Sequence, residues 1–199
     1  MVLTWANQIT VLRIFLIAPF VICMIKANAP DTGRLMRYTA IGIFIFMCIS
    51  DVLDGYMARV KKQVTTLGAF LDPLADKLLM TCACVLLTAT KTAIKGFELP
   101  APVVVFIIGK DMFLLLGFTI VYLVTSQVRI ESVWIGKLAA FLQLSMVASV
   151  LIAPEVSSFF PGWVLLTRFV WYSAAGAAIL ATIIYIRTGI RYIGEFETK

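Results

Sequence analysis

Apolar residues form six long runs along the 199-residue chain, and short polar segments separate them. A helix needs about 20 mostly apolar residues to cross a membrane, and each run reaches this length with its flanks. The pattern predicts an all-α integral membrane protein, a bundle of six transmembrane helices with both termini on one side. Trp5 and its neighbours predict an N-terminal interfacial segment before the first run. The runs are residues 10–25, 38–50, 77–90, 101–124, 138–153 and 164–186.

The composition is that of a multi-pass protein. The chain is 61% hydrophobic and 14% charged, whereas soluble domains carry about 25% charged residues. Its length predicts a single membrane domain over residues 1–199. The net charge is +6, but there is no basic tract or stacking platform, so we expect no nucleic-acid partner. More Lys and Arg residues flank the helices on the side of the termini, which predicts cytoplasmic termini.

Four of the six aspartates fall within 26 residues, where the second run ends and the third begins: Asp51, Asp54, Asp72 and Asp76. A charged residue near a bilayer core costs at least about 2.5–3.5 kcal/mol, so such residues are functional candidates. Four carboxylates together repel each other unless they are protonated or bind cations. Their oxygens suit Mg²⁺ or Mn²⁺. The chain has no histidine, which excludes histidine-based zinc sites and proton relays.

The spacing of these aspartates predicts one site on two helices. If the second helix continues to Arg59, then Asp51 and Asp54 lie on one face with small residues. A short connection makes the third helix an antiparallel neighbour, whose own acidic face can lie opposite. The small residues admit either a bulky ligand or a close helix contact. The second face carries Gly55, Ala58 and Arg59, and the third helix carries Gly68, Asp72 and Asp76.

The full pattern is D-x-x-D-G-x-x-A-R, eight residues, then G-x-x-x-D-x-x-x-D. It resembles the signature of the CDP-alcohol phosphatidyltransferases, with all eight defining positions filled. The resemblance implies transfer of a phosphatidyl group from CDP-diacylglycerol to an alcohol, with release of CMP. It also implies a homodimer among membrane lipids, located in a bacterial cell membrane, with the active site facing the cytoplasm.

The same resemblance implies roles for individual residues. Asp51, Asp54 and Asp72 would bind one of two Mg²⁺ or Mn²⁺ ions, and Asp51, Asp72 and Asp76 the second. Asp76 would also be the catalytic base. Asn7 alternatively caps a helix or lies at the membrane interface as a polar residue. The positions expected to contact the CDP-lipid are Asn7, Gly55, Ala58, Arg59, Thr65 and Gly68.

For the identity of the acceptor alcohol, two alternatives within the family remain. Residues 7–13 and 71–77 are most similar to phosphatidylglycerophosphate synthases, which use glycerol 3-phosphate, so we expect a cationic acceptor pocket. The chain departs from those enzymes at two places: it has Lys110–Asp111 where they often have Arg-Glu, and Ala139 where they commonly have a second lysine. Cardiolipin synthases of the same family, whose acceptor is phosphatidylglycerol, therefore remain the alternative. We also expect Asp111 to pair away from Lys110, because adjacent helix residues do not face each other. The acceptor candidates are Lys110, Lys137, Arg187 and Arg191.

A cation or proton transporter is the alternative from another functional class, because intramembrane carboxylates also mark ion pathways. Acids spread over several helices at mid-membrane, or inverted repeats, would favour it. The four aspartates instead lie on two consecutive helices near one membrane face, which favours the transferase.

Overall fold

The computed structural model is helical throughout the elements it describes. It describes the backbone of residues 5–61, 66–125 and 134–197, and within them the side chains of residues 8–53, 74–117, 119 and 134–191. Seven helices lie in these ranges. They are α1 (Trp5–Lys26), α2 (Gly33–Lys61), α3 (Thr66–Thr88), α4 (Ala101–Thr125), α5 (Trp134–Leu151), α6 (Ala153–Phe159) and α7 (Trp163–Glu197).

Four helices within the described residues are long and apolar enough to cross a membrane. They confirm the spans predicted from four of the six apolar runs, and they make the chain a multi-pass membrane protein. The two remaining runs lie largely in α3 and α4, some of whose side chains are outside the described set. The four spans are Gln8–Lys26, Gly33–Leu53, Trp134–Leu151 and Trp163–Arg191.

Two details differ from the hydropathy pattern. The segment around Pro154, predicted to be a break, contains the short helix α6. Proline is tolerated in a first helical turn, and Glu155 adds a negative charge near the positive end of the helix dipole. At the other end of the chain, residues from Trp5 onward belong to α1 itself, so the predicted interfacial segment is continuous with the first span.

The chain divides into two compact units by its internal contacts: Met1–Glu98 with Val150–Pro154, and Leu99–Ser149 with Glu155–Lys199. In the first unit, α1 packs against both α2 and α3. The buried positions of α1 recur at helical spacing, which is the pattern of an interior helix face. They include Thr10, Arg13, Phe20 and Met24.

A hydrogen-bonded connection joins the ends of α1 and α3 in the first unit. The Asn28 amide, just after α1, donates to the carbonyl oxygens of Lys91 and Ala93, each at 3.0 Å. Lys91 and Ala93 follow α3, so one side chain joins the ends of two helices. This contact fixes α1 relative to α3, whose other end carries the acidic residues.

In the second unit, α4 packs against α7, and α5 runs antiparallel to α7. Near one end of this pair, the Trp163 indole donates to the Ser149 carbonyl at 3.2 Å. Towards the other end, Ala139 of α5 packs with Ala177 and Ala181 of α7. Small residues let membrane helices approach closely.

Candidate functional site

The acidic pattern lies on helices, as predicted: α2 continues to Lys61 and α3 begins at Thr66. Asp51 on α2 has 49% of its side chain exposed, and Asp76 on α3 is half-buried. The charges of Asp51, Asp76 and Arg13 all act on the Cys48 thiol of α2. Charged groups from three helices therefore lie near the same stretch of α2.

Arg13 approaches Asp51 from α1. Its Nη1 donates to Asp51 Oδ1 at 2.6 Å, which is both a hydrogen bond and an ion pair. The arginine side chain is 2% exposed, and Thr10, one turn earlier on the same face of α1, is fully buried. The pair joins residues 38 positions apart in the chain, so α1 contributes to the acidic site.

Several predicted site residues fall outside the described side chains, and their roles stay predictions. Thr65 lies outside the described backbone as well. The prediction that the acidic faces of α2 and α3 lie opposite each other depends on the same side chains and also stays a prediction. Those with a helical backbone but no described side chain are Asn7, Asp54, Gly55, Ala58, Arg59, Gly68 and Asp72.

The donor chemistry of the described part of the site suits a hard divalent cation. Asp51 and Asp76 supply carboxylate oxygens, the ligands that Mg²⁺ and Mn²⁺ prefer. The exposure of Asp51 leaves its carboxylate accessible to an ion. No group of three or more His, Cys, Asp or Glu residues that could hold a metal forms among the described side chains alone. The predicted ligands Asp54 and Asp72 lie outside the described side chains, so their part in a metal site stays a prediction.

Lys110 lies inside the second unit, in a buried polar cluster. Its Nζ donates to Gln143 Oε1 at 3.2 Å and lies 3.1 Å from Asp111 Oδ1. Lys110 and Asp111 are each 4% exposed and Gln143 is 3% exposed. The expectation that Asp111 pairs away from Lys110 is wrong for this contact, because the flexible lysine stem bends back to its neighbour.

The other acceptor candidates lie at one end of the second unit. A methyl group added to Gly136 would overlap the Tyr185 hydroxyl, so Lys137 on α5 and Arg187 on α7 flank a close helix contact. Arg191 follows one turn later, and all three cations are exposed. Gln143 is six residues beyond Lys137 on α5, about 9 Å along the helix axis. The structure thus brings Lys137, Arg187 and Arg191 to one end and places Lys110 deeper.

Comparison with known proteins decides the family. The sequence model of the CDP-alcohol phosphatidyltransferases matches residues 3–186, which include most of both units. The chain belongs to this family. It is therefore an enzyme of the CDP-alcohol phosphatidyltransferase class, and the resemblance carried by the aspartate pattern is confirmed.

Three relatives are each named CDP-diacylglycerol–glycerol-3-phosphate 3-phosphatidyltransferase. The Bacillus subtilis protein is 35% identical over 73% of this chain and 75% of its own length. The Mycoplasma genitalium protein is 32% identical over 90% of this chain and 81% of its own. The Pseudomonas fluorescens protein is 42% identical over 53% of this chain and 50% of its own.

Two residues that contact predicted site residues were not themselves predicted from the sequence of this phosphatidyltransferase: Arg13, which contacts Asp51, and Gln143, which contacts Lys110. In the charge count, Arg13 is one of the Lys and Arg residues on the side of the termini, although an arginine within an apolar run is already a candidate for a buried pair. Gln143 was not identified. Its only signal was a polar amide in the middle of the fifth apolar run.

Proposed function

We propose that this enzyme transfers the phosphatidyl group of CDP-diacylglycerol to glycerol 3-phosphate, forming phosphatidylglycerophosphate and CMP. The observation that carries the proposal is the similarity to the Bacillus subtilis transferase over 73% of the chain. The location of the acidic pattern on α2 and α3 supports it. These carboxylates would hold divalent cations, and the donor's diphosphate needs that positive charge.

We assign the donor half of the reaction to the first unit. Asp51, Asp54, Asp72 and Asp76 would hold two divalent cations, Mg²⁺ or Mn²⁺. Such ions supply charge neutralisation for the diphosphate when they are bound. Arg59 is proposed to grip a phosphate, and the other nucleotide contacts are those expected by resemblance. Asp51, half exposed at the end of the second span, can reach a donor that enters from the membrane surface.

Asp76 is the proposed catalytic base. It would accept the proton of the acceptor hydroxyl while that oxygen bonds to the phosphorus and the bond to CMP breaks. Its half-buried carboxylate lies on α3 among the charges that act on Cys48. Electrostatic neighbours of both signs are the means by which proteins tune such a base.

For the acceptor half, we propose that cations of the second unit bind the phosphate of glycerol 3-phosphate. Lys137, Arg187 and Arg191 lie at one end of that unit and are exposed, as a soluble anion requires. Lys110 is proposed as a deeper contact. Its pairing with Asp111 and Gln143 means that an acceptor phosphate has to compete with two protein groups for the ammonium.

The finer features of the architecture are proposals too. We propose six transmembrane spans, with α3 and α4 completing the four already assigned, in one domain over residues 1–199. The family match from residue 3 to residue 186 supports a single domain, since it includes most of both units. We further propose a homodimer in a bacterial cell membrane, with the site on the cytoplasmic side, where CMP can leave into water.

The test is an acceptor panel with purified protein in lipid nanodiscs. CMP release from CDP-diacylglycerol is measured with glycerol 3-phosphate, phosphatidylglycerol, inositol phosphate or serine, with Mg²⁺ or Mn²⁺ and again after chelation by EDTA. We expect release with glycerol 3-phosphate alone, abolished by EDTA and restored by either cation.

Other patterns of release identify the alternatives. Release with phosphatidylglycerol alone would make the enzyme a cardiolipin synthase. The observation that favours this second candidate is Ala139, which stands where the glycerol-phosphate enzymes of the family commonly carry a lysine and which is buried against Ala177 and Ala181. Undiminished release in EDTA would exclude the proposed cations, and no release with any acceptor would exclude the transferase reaction itself.

A further inference from the structure

Arg13 is a buried charge inside a membrane-spanning helix. It lies within the Gln8–Lys26 span, and 2% of its side chain is exposed. A charge at such a position is costly unless it has a partner, and it marks functional sites in membrane proteins. Its partner at 2.6 Å is Asp51, which opens the acidic pattern.

The two members of this pair differ in their freedom to move. Asp51 is 49% exposed whereas Arg13 is 2% exposed. Moving Asp51 away would leave a buried guanidinium without this counter-charge, which is strongly unfavourable. The planar guanidinium also holds a carboxylate in a defined direction. Arg13 therefore fixes where the Asp51 carboxylate points.

The hydrogen bond uses one carboxylate oxygen of Asp51, Oδ1. The carboxylate therefore keeps acceptor capacity for a cation, including its second oxygen. At this burial, Arg13 presents little surface to a substrate that enters from the membrane surface. The contact with Asp51 is therefore a route by which Arg13 can act on the site without touching the substrate.

We propose that Arg13 is a positioning residue: it holds the Asp51 carboxylate in the orientation in which Asp51 binds a divalent cation. This inference rests on the proposed function, because it requires a cation at Asp51. It adds α1 to a site whose predicted ligands all come from α2 and α3. Groups that orient metal ligands in this way typically contribute 10–100-fold to metal affinity or activity.

Two effects of Arg13 on the cation oppose each other. Its positive charge repels a metal ion, but the half-exposed carboxylate lies near water, which screens the repulsion. Water does not weaken the other effect, which is the orientation of the Asp51 carboxylate by Arg13. We therefore expect loss of Arg13 to weaken cation binding, whereas a purely electrostatic role predicts tighter binding.

The test is a Mn²⁺ titration of the full-length protein in nanodiscs, with free Mn²⁺ measured by electron paramagnetic resonance. Arg13→Met removes the charge and the donors but keeps a long apolar side chain suited to burial. We expect its Mn²⁺ dissociation constant to rise about 10–100-fold. Arg13→Lys keeps a cation without the planar fork, and it should lie between Arg13→Met and the wild type.

Met24→Ala is the matched control for a structural effect. Met24 is fully buried and lies three turns along α1 on the same face as Arg13. This variant should lower the thermal stability of the protein while leaving the Mn²⁺ dissociation constant within about twofold of the wild type. A structural role for Arg13 predicts that stability loss alone weakens binding, so Met24→Ala would then behave like Arg13→Met.

Each result has a separate meaning. No Mn²⁺ binding by the wild type refutes the proposed cation site. Wild-type binding with an unchanged or tighter constant in Arg13→Met overturns the positioning role alone. If Arg13→Met does not fold, Arg13→Gln carries the same expectation of weaker binding, and an unchanged constant in that variant overturns the proposal.

Discussion

The buried pair of Lys110 and Asp111 yields a prediction about stability. Both residues are 4% exposed, and Nζ lies 3.1 Å from Oδ1. Asp111→Asn keeps the size of the side chain and removes its negative charge. Lys110 then retains Gln143 as a neutral acceptor, but it loses the negative charge that Asp111 supplies. We expect this substitution to destabilise the second unit.

The magnitude follows from two reference cases. Removing one partner of a buried ion pair in a soluble protein costs about 3–5 kcal/mol. Polar contacts between membrane helices contribute less, on average about 0.6 and at most about 1.7 kcal/mol, because separated helices also find polar partners. A charged pair at this burial should lie between these cases. We therefore expect a loss of about 2–3 kcal/mol for Asp111→Asn.

Reversible unfolding in mixed micelles with increasing SDS measures this loss. Asp31→Asn is the control, because Asp31 is exposed in the connection between α1 and α2 and should change stability by less than about 0.5 kcal/mol. The double variant Lys110→Met with Asp111→Asn removes both charges. It should be more stable than Asp111→Asn, because no uncompensated buried charge remains.

Two results would refute this interpretation of the pair. One is a free energy of unfolding for Asp111→Asn within about 0.5 kcal/mol of the wild type. That result would show that water reaches the pair and that the pair is not buried. The other is a double variant no more stable than the single variant, which would show that the lysine charge is not the source of the cost.

Three further predictions concern the reaction and the packing of the second unit. Asp76→Asn should abolish CMP release while CDP-diacylglycerol still binds, whereas the exposed Glu98→Gln should leave both unchanged; turnover in the first variant would exclude the base assignment. Lys137→Ala should raise the KM for glycerol 3-phosphate without changing that for the donor, and an unchanged acceptor KM would remove Lys137 from the pocket. Ala139→Leu should destabilise the protein by about 1–3 kcal/mol in the SDS assay, because the close packing of Ala139 against Ala177 and Ala181 leaves no room for a larger side chain. The exposed Ala140→Leu is its control, and equal stabilities would contradict the close packing.

Most of the helices were predictable because local properties of the sequence determine them. Apolar runs long enough to cross a bilayer predict spans. The D-x-x-D-G-x-x-A-R pattern has helical spacing, which predicts that α2 continues past the second apolar run. The family was predictable for the same reason, since its signature lies in two neighbouring segments. Helix α6 was not predicted, because Pro154 beside polar residues is also the composition of a turn.

Side-chain partners across helices were less predictable, and the Lys110 cluster illustrates why. Hydropathy indicated that Lys110 is buried and therefore needs a partner, but not which one. Neighbour rules for helices excluded Asp111, although a lysine has enough rotatable bonds to reach it. Gln143 lies 33 residues away, and only the packing of α4 near α5 shows that it is the second partner.

Arg13 illustrates the same limit at the candidate site. From sequence, a cation early in the first span is explained equally well as an anchor at the membrane surface or as a partner for an acid elsewhere. The two explanations differ in burial, which depends on how α1 packs against α2 and α3. The 2% exposure of Arg13 beside a 49% exposed Asp51 decides between them. A surface anchor would have the opposite asymmetry, with its charged end in water and no need of the aspartate.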